Sequence, residues 1–143
     1  MYNWFQCKVK YERNADDGGI AKVNESYLID ALSFTEAEER INEEMKPFIS
    51  GDFLVSDIKR ARISELFPNE SGDKWYRCKV NFISLDEEKG VEKRVASTMF
   101  TQASTLKEAV EVLDKGMKGT LADYEIASVV ETNVMDVFKY KAD

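Results

Sequence analysis

The sequence contains no histidine and only two cysteines among its 143 residues. The absence of histidine excludes Ser-His-Asp and Cys-His catalysis, together with every metal site that requires an imidazole ligand. Two thiols alone cannot close a structural zinc site either. Gly116 and Gly119 end a helical pattern instead of preceding a helix, so they do not form a phosphate-binding loop. We therefore expect neither a metal nor a cofactor.

Long hydrophobic runs are also missing. No stretch approaches the roughly 18 apolar residues of a membrane helix, and strand-like sequence begins at Tyr2 without the apolar segment of a signal peptide. We therefore expect a cytoplasmic protein without a membrane partner, in which Cys7 and Cys78 are free thiols. The chain has 20 basic and 27 acidic residues, a net charge of −7, which argues against wrapping by nucleic acid but not against a local basic face.

Two parts of the sequence resemble each other at an offset of 71 or 72 residues. Trp4–Val9 matches Trp75–Val80, and Ser33–Ala37 matches Thr105–Ala109. Further matches follow in the same order: Ile41 with Leu113, Met45 with Met117, Phe53 with Tyr124, Val55 with Ile126, and Phe67 with Phe138. The pattern predicts an internal duplication within one pseudo-twofold domain, residues 1–143, with repeats at 4–67 and 75–138 and a turn-rich linker at 68–74.

Each repeat has the pattern strand, strand, helix, strand. The first strands alternate, with Cys7 or Cys78 on the apolar face, and the second strands cover about 22–32 and 92–103. The helices begin at capping boxes, Ser33-x-x-Glu36 and Thr105-x-x-Glu108, and the last strands are long, about 53–66 and 124–138. We expect an α+β fold with a six-stranded, mostly antiparallel sheet or open barrel and both helices on one face.

The face opposite the apolar one carries the candidate binding residues. They are Trp4, Lys8 and Lys10 in the first repeat, and Trp75, Arg77 and Lys79 in the second. Aromatic rings among cations on an open sheet are typical of single-stranded nucleic-acid binding, because bases stack on rings while cations contact phosphates. Three alternatives remain: the tryptophans cap the core, the face is buried against a second copy, or the cations protect strand edges against aggregation.

The cysteines and carboxylates suggest catalytic functions as alternatives to binding. Cys7 and Cys78 are expected to be buried hydrophobic residues, although a redox pair across the pseudo-twofold axis is an alternative. The first helix carries many glutamates, which a solvated face explains and which an enzyme using carboxylates alone would also need. Asp16-Asp17-Gly18 lacks the alternating acids of a calcium loop.

Several segments also resemble a known family. These are 1–5, Cys7-Lys8-Val9, Asp30–Glu38, Trp75-Tyr76-x-Cys78-Lys79 and Lys118–Val129. They resemble a family of short, uncharacterised proteins from Bacteroides-type bacteria, a domain of unknown function, and the resemblance spans nearly the whole chain. It implies a bacterial, cytoplasmic setting and assigns no catalytic or binding residue.

The functional prediction combines these observations. We expect a non-enzymatic binding or accessory protein that acts through an unknown protein partner or as a homodimer. The alternative is single-stranded nucleic-acid binding on the open sheet face, for which the tryptophans would supply the stacking surfaces.

Overall fold

The computed structural model describes residues 2–140, which form an α+β fold of two helices and mostly strands. The elements in chain order are β1 (Asn3–Asn14), β2 (Ile20–Ala31), α1 (Phe34–Met45), β3 (Phe53–Ala61), β4 (Glu65–Phe67), β5 (Lys74–Asp86), β6 (Val91–Ala103), α2 (Leu106–Gly116), β7 (Asp123–Glu131) and β8 (Val134–Phe138). Neither helix is long or apolar enough to cross a membrane.

The chain divides into two compact units. The first unit comprises the residues up to Arg62 together with those from Asn133 onward, and the second unit is Ile63–Thr132. The first contains a sheet of order β3-β1-β2-β8, and the second a sheet of order β7-β5-β6-β4. The prediction of one six-stranded sheet was therefore wrong, because the described strands form two four-stranded sheets, each with its own helix.

The error lies in the last strand of each repeat. The predicted strand 53–66 is two strands, because β3 pairs with β1 whereas β4 pairs with β6 of the other sheet. The predicted strand 124–138 breaks in the same way, since β7 pairs with β5 and β8 with β2. Both additional pairs are parallel. Neither segment contains a glycine or proline, so the alternating pattern gives no sign of the break.

The core of each unit lies between the sheet and its helix, as the alternating pattern predicts. In the first unit, Ala37, Ile41 and Met45 of α1 pack with the side chains of Phe5, Cys7, Val9, Tyr27, Ile29 and Ala31. In the second unit, Ala109, Leu113 and Met117 pack with Tyr76, Cys78, Val80, Met99 and Ala103. Burying these side chains contributes roughly 1.5–3 kcal/mol for each large one.

Both helices begin at the predicted residues. The hydroxyl of Ser33 accepts a hydrogen bond from the Glu36 N–H, and that of Thr105 accepts one from the Glu108 N–H, each at 3.1 Å. Phe34 and Leu106, the first residues of the two helices, are each 53% exposed, and the Phe34 ring contacts the Phe5 ring of β1 edge to face, with centroids 4.8 Å apart.

Candidate functional site

The six residues of the predicted binding face lie on the central strands β1 and β5. Alternation places all six on the sheet face opposite the helix, since Cys7 and Cys78 face the helix. Lys8, Lys10, Arg77 and Lys79 are exposed. Within residues 2–140 none of these four cations takes part in an ion pair. Each unit therefore presents two free positive charges on this face.

The two tryptophans differ in exposure. Trp4 is half-buried, whereas only 4% of the Trp75 surface is exposed. The main-chain carbonyl of Trp75 accepts hydrogen bonds from the N–H and the hydroxyl of Thr132, at 3.0 and 2.7 Å, which hold the start of β5 against the end of β7. Trp75 is therefore not accessible for stacking on a base in this structure, and Trp4 is the aromatic residue that the predicted face retains.

The cysteines are core residues. Cys7 belongs to the first unit and Cys78 to the second, and both are free thiols with no exposed surface. Burial, together with the negative charge of Asp57, raises the pKa of Cys7 to about 12, and burial also raises the pKa of Cys78. A thiol with a raised pKa is a poor nucleophile at neutral pH. This chemistry does not favour a redox pair.

The carboxylates do not converge on a centre. Glu38, Glu39 and Glu43 of α1 are exposed, and Glu43 pairs with Lys46 at 2.7 Å. The Asp17 carboxylate accepts the Gly19 N–H at 2.9 Å, so it closes a turn. Among the described residues there is no group of three or more acidic or cysteine side chains that could hold a metal ion.

Each sheet has a long edge strand. β3 packs against β1 and α1, and β7 packs against β5 and α2. In the part of the chain that the structure describes, no strand pairs with the outer edge of either. Such an edge presents a row of backbone donors and acceptors to another strand. Both edges carry a bulge at the same place, opposite the step from Lys8 to Val9 in β1 and from Lys79 to Val80 in β5.

The two edges differ in charge at equivalent positions, defined by their partners in β1 and β5. Lys8 pairs with Asp57, whereas its counterpart Lys79 pairs with Ser128. The equivalent edge residues are Asp57 and Ser128, Lys59 and Val130, and Arg60 and Glu131. Charged side chains along an edge oppose pairing with another chain. At these three positions β3 carries three charged residues and β7 carries one, so β7 is the less protected edge there.

The carboxylates at the ends of the uncharged run of β7 are already paired. Arg94 contacts Glu125 at 2.9 Å, and this hydrogen bond, with a second from Asn81, lowers the pKa of Glu125. Lys74 contacts Glu131 at 2.9 Å. Between these two neutralised ends lies the segment 126–130, Ile-Ala-Ser-Val-Val, which carries no charge.

A cavity of about 470 Å³ opens on the helix side of the second unit. It lies where β4, β6 and the end of α2 meet, and four of its nine lining residues carry an aromatic ring or a thioether. The lining residues are Ser64, Glu65, Phe67, Phe82, Ser97, Met99, Gly116, Met117 and Thr120. The Ser64 and Ser97 hydroxyls lie 2.5 Å apart, and Ser64 also donates to the Thr98 carbonyl at 3.0 Å.

In the first unit, the position equivalent to this cavity is occupied by side chains of the first unit itself. Tyr27 stacks on Phe138, with ring centroids 5.7 Å apart and an interplanar angle of 19°. The hydroxyls of Tyr27 and Tyr11 both donate to Glu25, at 3.3 and 2.6 Å. Burial first, and the Glu25 charge second, raise the pKa of Tyr27, while the hydrogen bond to Glu25 raises that of Tyr11. Both phenols therefore remain neutral donors.

The first unit instead has a wider cleft elsewhere. A cleft of about 720 Å³ lies at the far end of the β1–β2 hairpin, beside the loop that precedes β3. Its lining includes Lys10, Glu12 and Lys22, all from the exposed ends of the hairpin strands. Lys10 is the predicted binding residue that borders this cleft.

Ser97 and Met99 were not predicted as site residues, and Gly116 was predicted only as a residue at the end of a helix. Gly116 permits close packing, because a side chain there would place its Cβ 2.5 Å from the Phe67 ring. The signal was present in the aligned repeats, where Tyr27 aligns with Met99 and Glu25 with Ser97. At both positions the first unit carries a larger or a charged side chain and the second unit does not.

The comparisons with known proteins identify a family but no activity. A family model described as "Domain of unknown function (DUF4494)" matches residues 3–140. The search of curated proteins found no match, and neither did the search of solved structures.

Proposed function

We propose that this chain, which belongs to the DUF4494 family of domains of unknown function, is a non-enzymatic binding protein that associates with a second copy of itself through β7. The observation that carries the proposal is the contrast between the two edges. The β3 edge carries Asp57, Lys59 and Arg60, whereas β7 has Ser128 and Val130 at the first two of these positions. An edge strand of nine residues with an uncharged run of five, 126–130, is a surface for strand addition.

A twofold pairing of β7 satisfies the physical requirements of such an interface. In an antiparallel pair centred on Val129, that residue lies opposite its own copy and Ser128 of one copy lies opposite Val130 of the other, so the paired side chains share a sheet face. Glu131 then lies opposite Ala127, and its carboxylate is already paired with Lys74 of its own unit. The shared strand pair supplies backbone hydrogen bonds, each of which contributes about 0.5–1.5 kcal/mol net.

The test transfers the charge pattern of β3 to β7. The double variant Ser128→Asp/Val130→Lys reproduces two of the three β3 edge charges without changing the net charge. We expect the unmodified protein to form a dimer at micromolar concentration, measured by light scattering after gel filtration, and the double variant to be a monomer. The matched control is Ser50→Asp/Leu54→Lys, which introduces the same two charges at two exposed residues of the first unit. A control that also becomes monomeric, or an unmodified protein that is monomeric throughout, contradicts the proposal.

The absence of catalysis belongs to the same proposal. Both cysteines are buried and have raised pKa values, and the carboxylates of α1 are dispersed on an exposed face. A nucleophile or acid–base pair would need one of these groups to sit in a cleft with a suitable pKa. These features support a binding role over an enzymatic one.

Single-stranded nucleic-acid binding is a second candidate. It is favoured by Lys8 and Lys10 in the first unit, exposed cations on the same sheet face as the half-buried Trp4. The expected result is saturable quenching of tryptophan fluorescence by a mixed-sequence oligonucleotide, lost with added salt and weakened in Lys8→Ala and Trp4→Ala. The burial of Trp75 weighs against it, because only one of the two tryptophans is accessible. No quenching at low salt would remove this candidate.

We also propose that the two units arose by internal duplication, in a bacterial, cytoplasmic protein. The supporting observations are shared details of the two units. Both have the same strand order, the same bulge and a hydroxyl cap on the helix. The Tyr140 N–H donates to Asp30 at 2.6 Å, and the Asn69 N–H donates to Gln102 at 3.0 Å, which is the equivalent bond at the same offset. Convergence on all of these details would require several independent coincidences.

A further inference from the structure

We propose that the cavity of the second unit binds a small molecule that carries a hydroxylated aromatic ring, and that this molecule takes the place that Tyr27 occupies in the first unit. The proposal rests on a comparison of two positions in one chain. It is independent of the β7 interface, because the cavity lies on the helix side of the sheet and β7 does not line it.

The register of the strands establishes which positions are equivalent. Cys7 pairs with Tyr27 in the first sheet, and Cys78 pairs with Met99 in the second. In the same way, Val9 pairs with Glu25 and Val80 with Ser97. The remaining equivalent residues at this position are Tyr11 and Phe82, Phe138 and Phe67, Glu44 and Gly116, and Phe48 and Thr120.

At these positions the second unit has smaller side chains or less polar ones. Met99 replaces the ring of Tyr27, Ser97 replaces the carboxylate of Glu25, and Gly116 replaces Glu44. The ring on which Tyr27 stacks is kept, because Phe67 is equivalent to Phe138. The result is a cavity of about 470 Å³ beside a retained aromatic surface, within the range of small-molecule sites.

The side chains that fill the first unit indicate the chemistry that fits the second. In the first unit, the Tyr27 ring lies almost parallel to the Phe138 ring, and the Tyr27 hydroxyl donates to the Glu25 carboxylate at 3.3 Å. In the second unit, Phe67 offers the stacking surface and the hydroxyls of Ser97 and Ser64 offer the hydrogen-bond partner. Met99 and Met117 supply thioethers, which make favourable contacts with aromatic rings. A phenol satisfies all three kinds of contact.

Gly116 supports the shape of the cavity. A Cβ at this position would lie 2.5 Å from two atoms of the Phe67 ring, so the ring could not remain where it is. The glycine has no left-handed backbone conformation that would require it. The contact with Phe67 therefore explains why a glycine stands in the last turn of α2. The variant Gly116→Ala would displace the Phe67 ring.

The experiment uses p-cresol, which is the tyrosine side chain without its backbone. Saturation-transfer NMR and calorimetric titration of the full chain are expected to detect one p-cresol site, with toluene binding about tenfold more weakly because it lacks the hydroxyl. The double variant Ser97→Glu/Met99→Tyr installs the residues of the first unit and is expected to weaken p-cresol binding at least about tenfold. Leu85→Tyr is the matched control, because it adds a tyrosine at an exposed residue of the same unit.

The reverse change is expected to create a second site. Glu25→Ser/Tyr27→Met opens the equivalent position of the first unit and raises the number of bound p-cresol molecules from one to two. If the filled variant does not fold, as judged by circular dichroism, Gly116→Ala replaces it, with the same expected loss. No binding of p-cresol by the unmodified chain, unchanged binding by the filled variant, or no second site in the opened variant would each overturn the proposal.

Discussion

At the scale of single residues, Asp30 and Arg40 hold Tyr140, near the end of the described chain, against the first unit. The Arg40 guanidinium lies 2.8 Å from the Asp30 carboxylate and also donates to the Asp30 carbonyl. It stands over the ring of Tyr140, 5.4 Å from its centre, and Tyr140 in turn stacks on Tyr2. Both charged side chains are largely buried, so each requires the opposite charge of the other to offset its loss of hydration.

We predict that Asp30→Asn lowers the free energy of unfolding by about 1–3 kcal/mol, because it leaves the Arg40 charge without its partner. Urea denaturation followed by circular dichroism measures the change. Arg40→Met added to Asp30→Asn is expected to recover part of the loss, since the double variant has no unpaired charge. Equal stability of Asp30→Asn and the unmodified protein would show that the ion pair contributes nothing.

Cys7 makes the stability sensitive to alkaline pH. Its pKa rises from 9.0 in the unfolded reference to about 12 in the fold. A group whose pKa is raised on folding contributes stability that is fully present below the unfolded pKa and is lost as the pH rises through the folded pKa. The free energy of unfolding is therefore expected to fall between about pH 9 and pH 12.

Cys7→Ala tests the contribution of this thiol, because it removes the titrating group. We expect its unfolding free energy to fall less steeply between pH 8.5 and pH 10.5 (roughly the range in which an unfolded thiol ionises) than that of the unmodified protein. Urea unfolding at these two pH values gives both slopes. Identical slopes would contradict the assigned cause.

At the scale of secondary-structure elements, the helix starts were the best predicted feature. Ser33 and Thr105 could be recognised because a hydroxyl followed three residues later by glutamate has a local physical meaning, independent of tertiary contacts. The ends of β3 and β7 could not be predicted in the same way. Their continuation into β4 and β8 depends on pairing with the other sheet, and no glycine or proline marks the change.

The caps give a direct prediction. Ser33→Ala and Thr105→Ala are each expected to lower the unfolding free energy by about 1 kcal/mol, because each leaves a helix N–H without its partner. Ser33→Asp and Thr105→Asp keep an acceptor oxygen and are expected to retain nearly the original stability. Thermal and urea unfolding of the four variants provide the measurement. An alanine variant as stable as its aspartate counterpart would contradict the role of the hydroxyl.

The candidate sites were predicted less completely than the helices. The alternating pattern identified Lys8, Lys10, Arg77 and Lys79 as exposed, because exposure on one sheet face follows from a period of two. The same pattern could not show that Trp75 is buried, since burial of that face depends on tertiary packing. The cavity at Ser97 and Met99 was missed because it results from a difference between the two units, which is visible only when their second strands are compared position by position.

At the scale of the whole molecule, the second unit is continuous in sequence. Ile63–Thr132 contains all four strands of its sheet together with α2, whereas the first unit needs β8 from beyond the second. We predict that residues 63–132 expressed alone give a dispersed amide NMR spectrum and cooperative unfolding. Residues 1–62 alone lack β8, which pairs with β2. We therefore expect this fragment to have a lower free energy of unfolding than residues 63–132. A disordered spectrum for 63–132 would contradict the division into units.

Amide hydrogen exchange at two protein concentrations tests the central claim, that β7 is the surface through which the protein acts. We predict that the amides of 126–130 exchange more slowly at high than at low concentration, because strand pairing protects their outward-facing N–H groups. The amides of β3, the charged edge strand of the other sheet, serve as the internal control and should exchange at the same rate at both concentrations. Protection of 126–130 that does not depend on concentration, or protection that appears in β3 instead, would contradict the account.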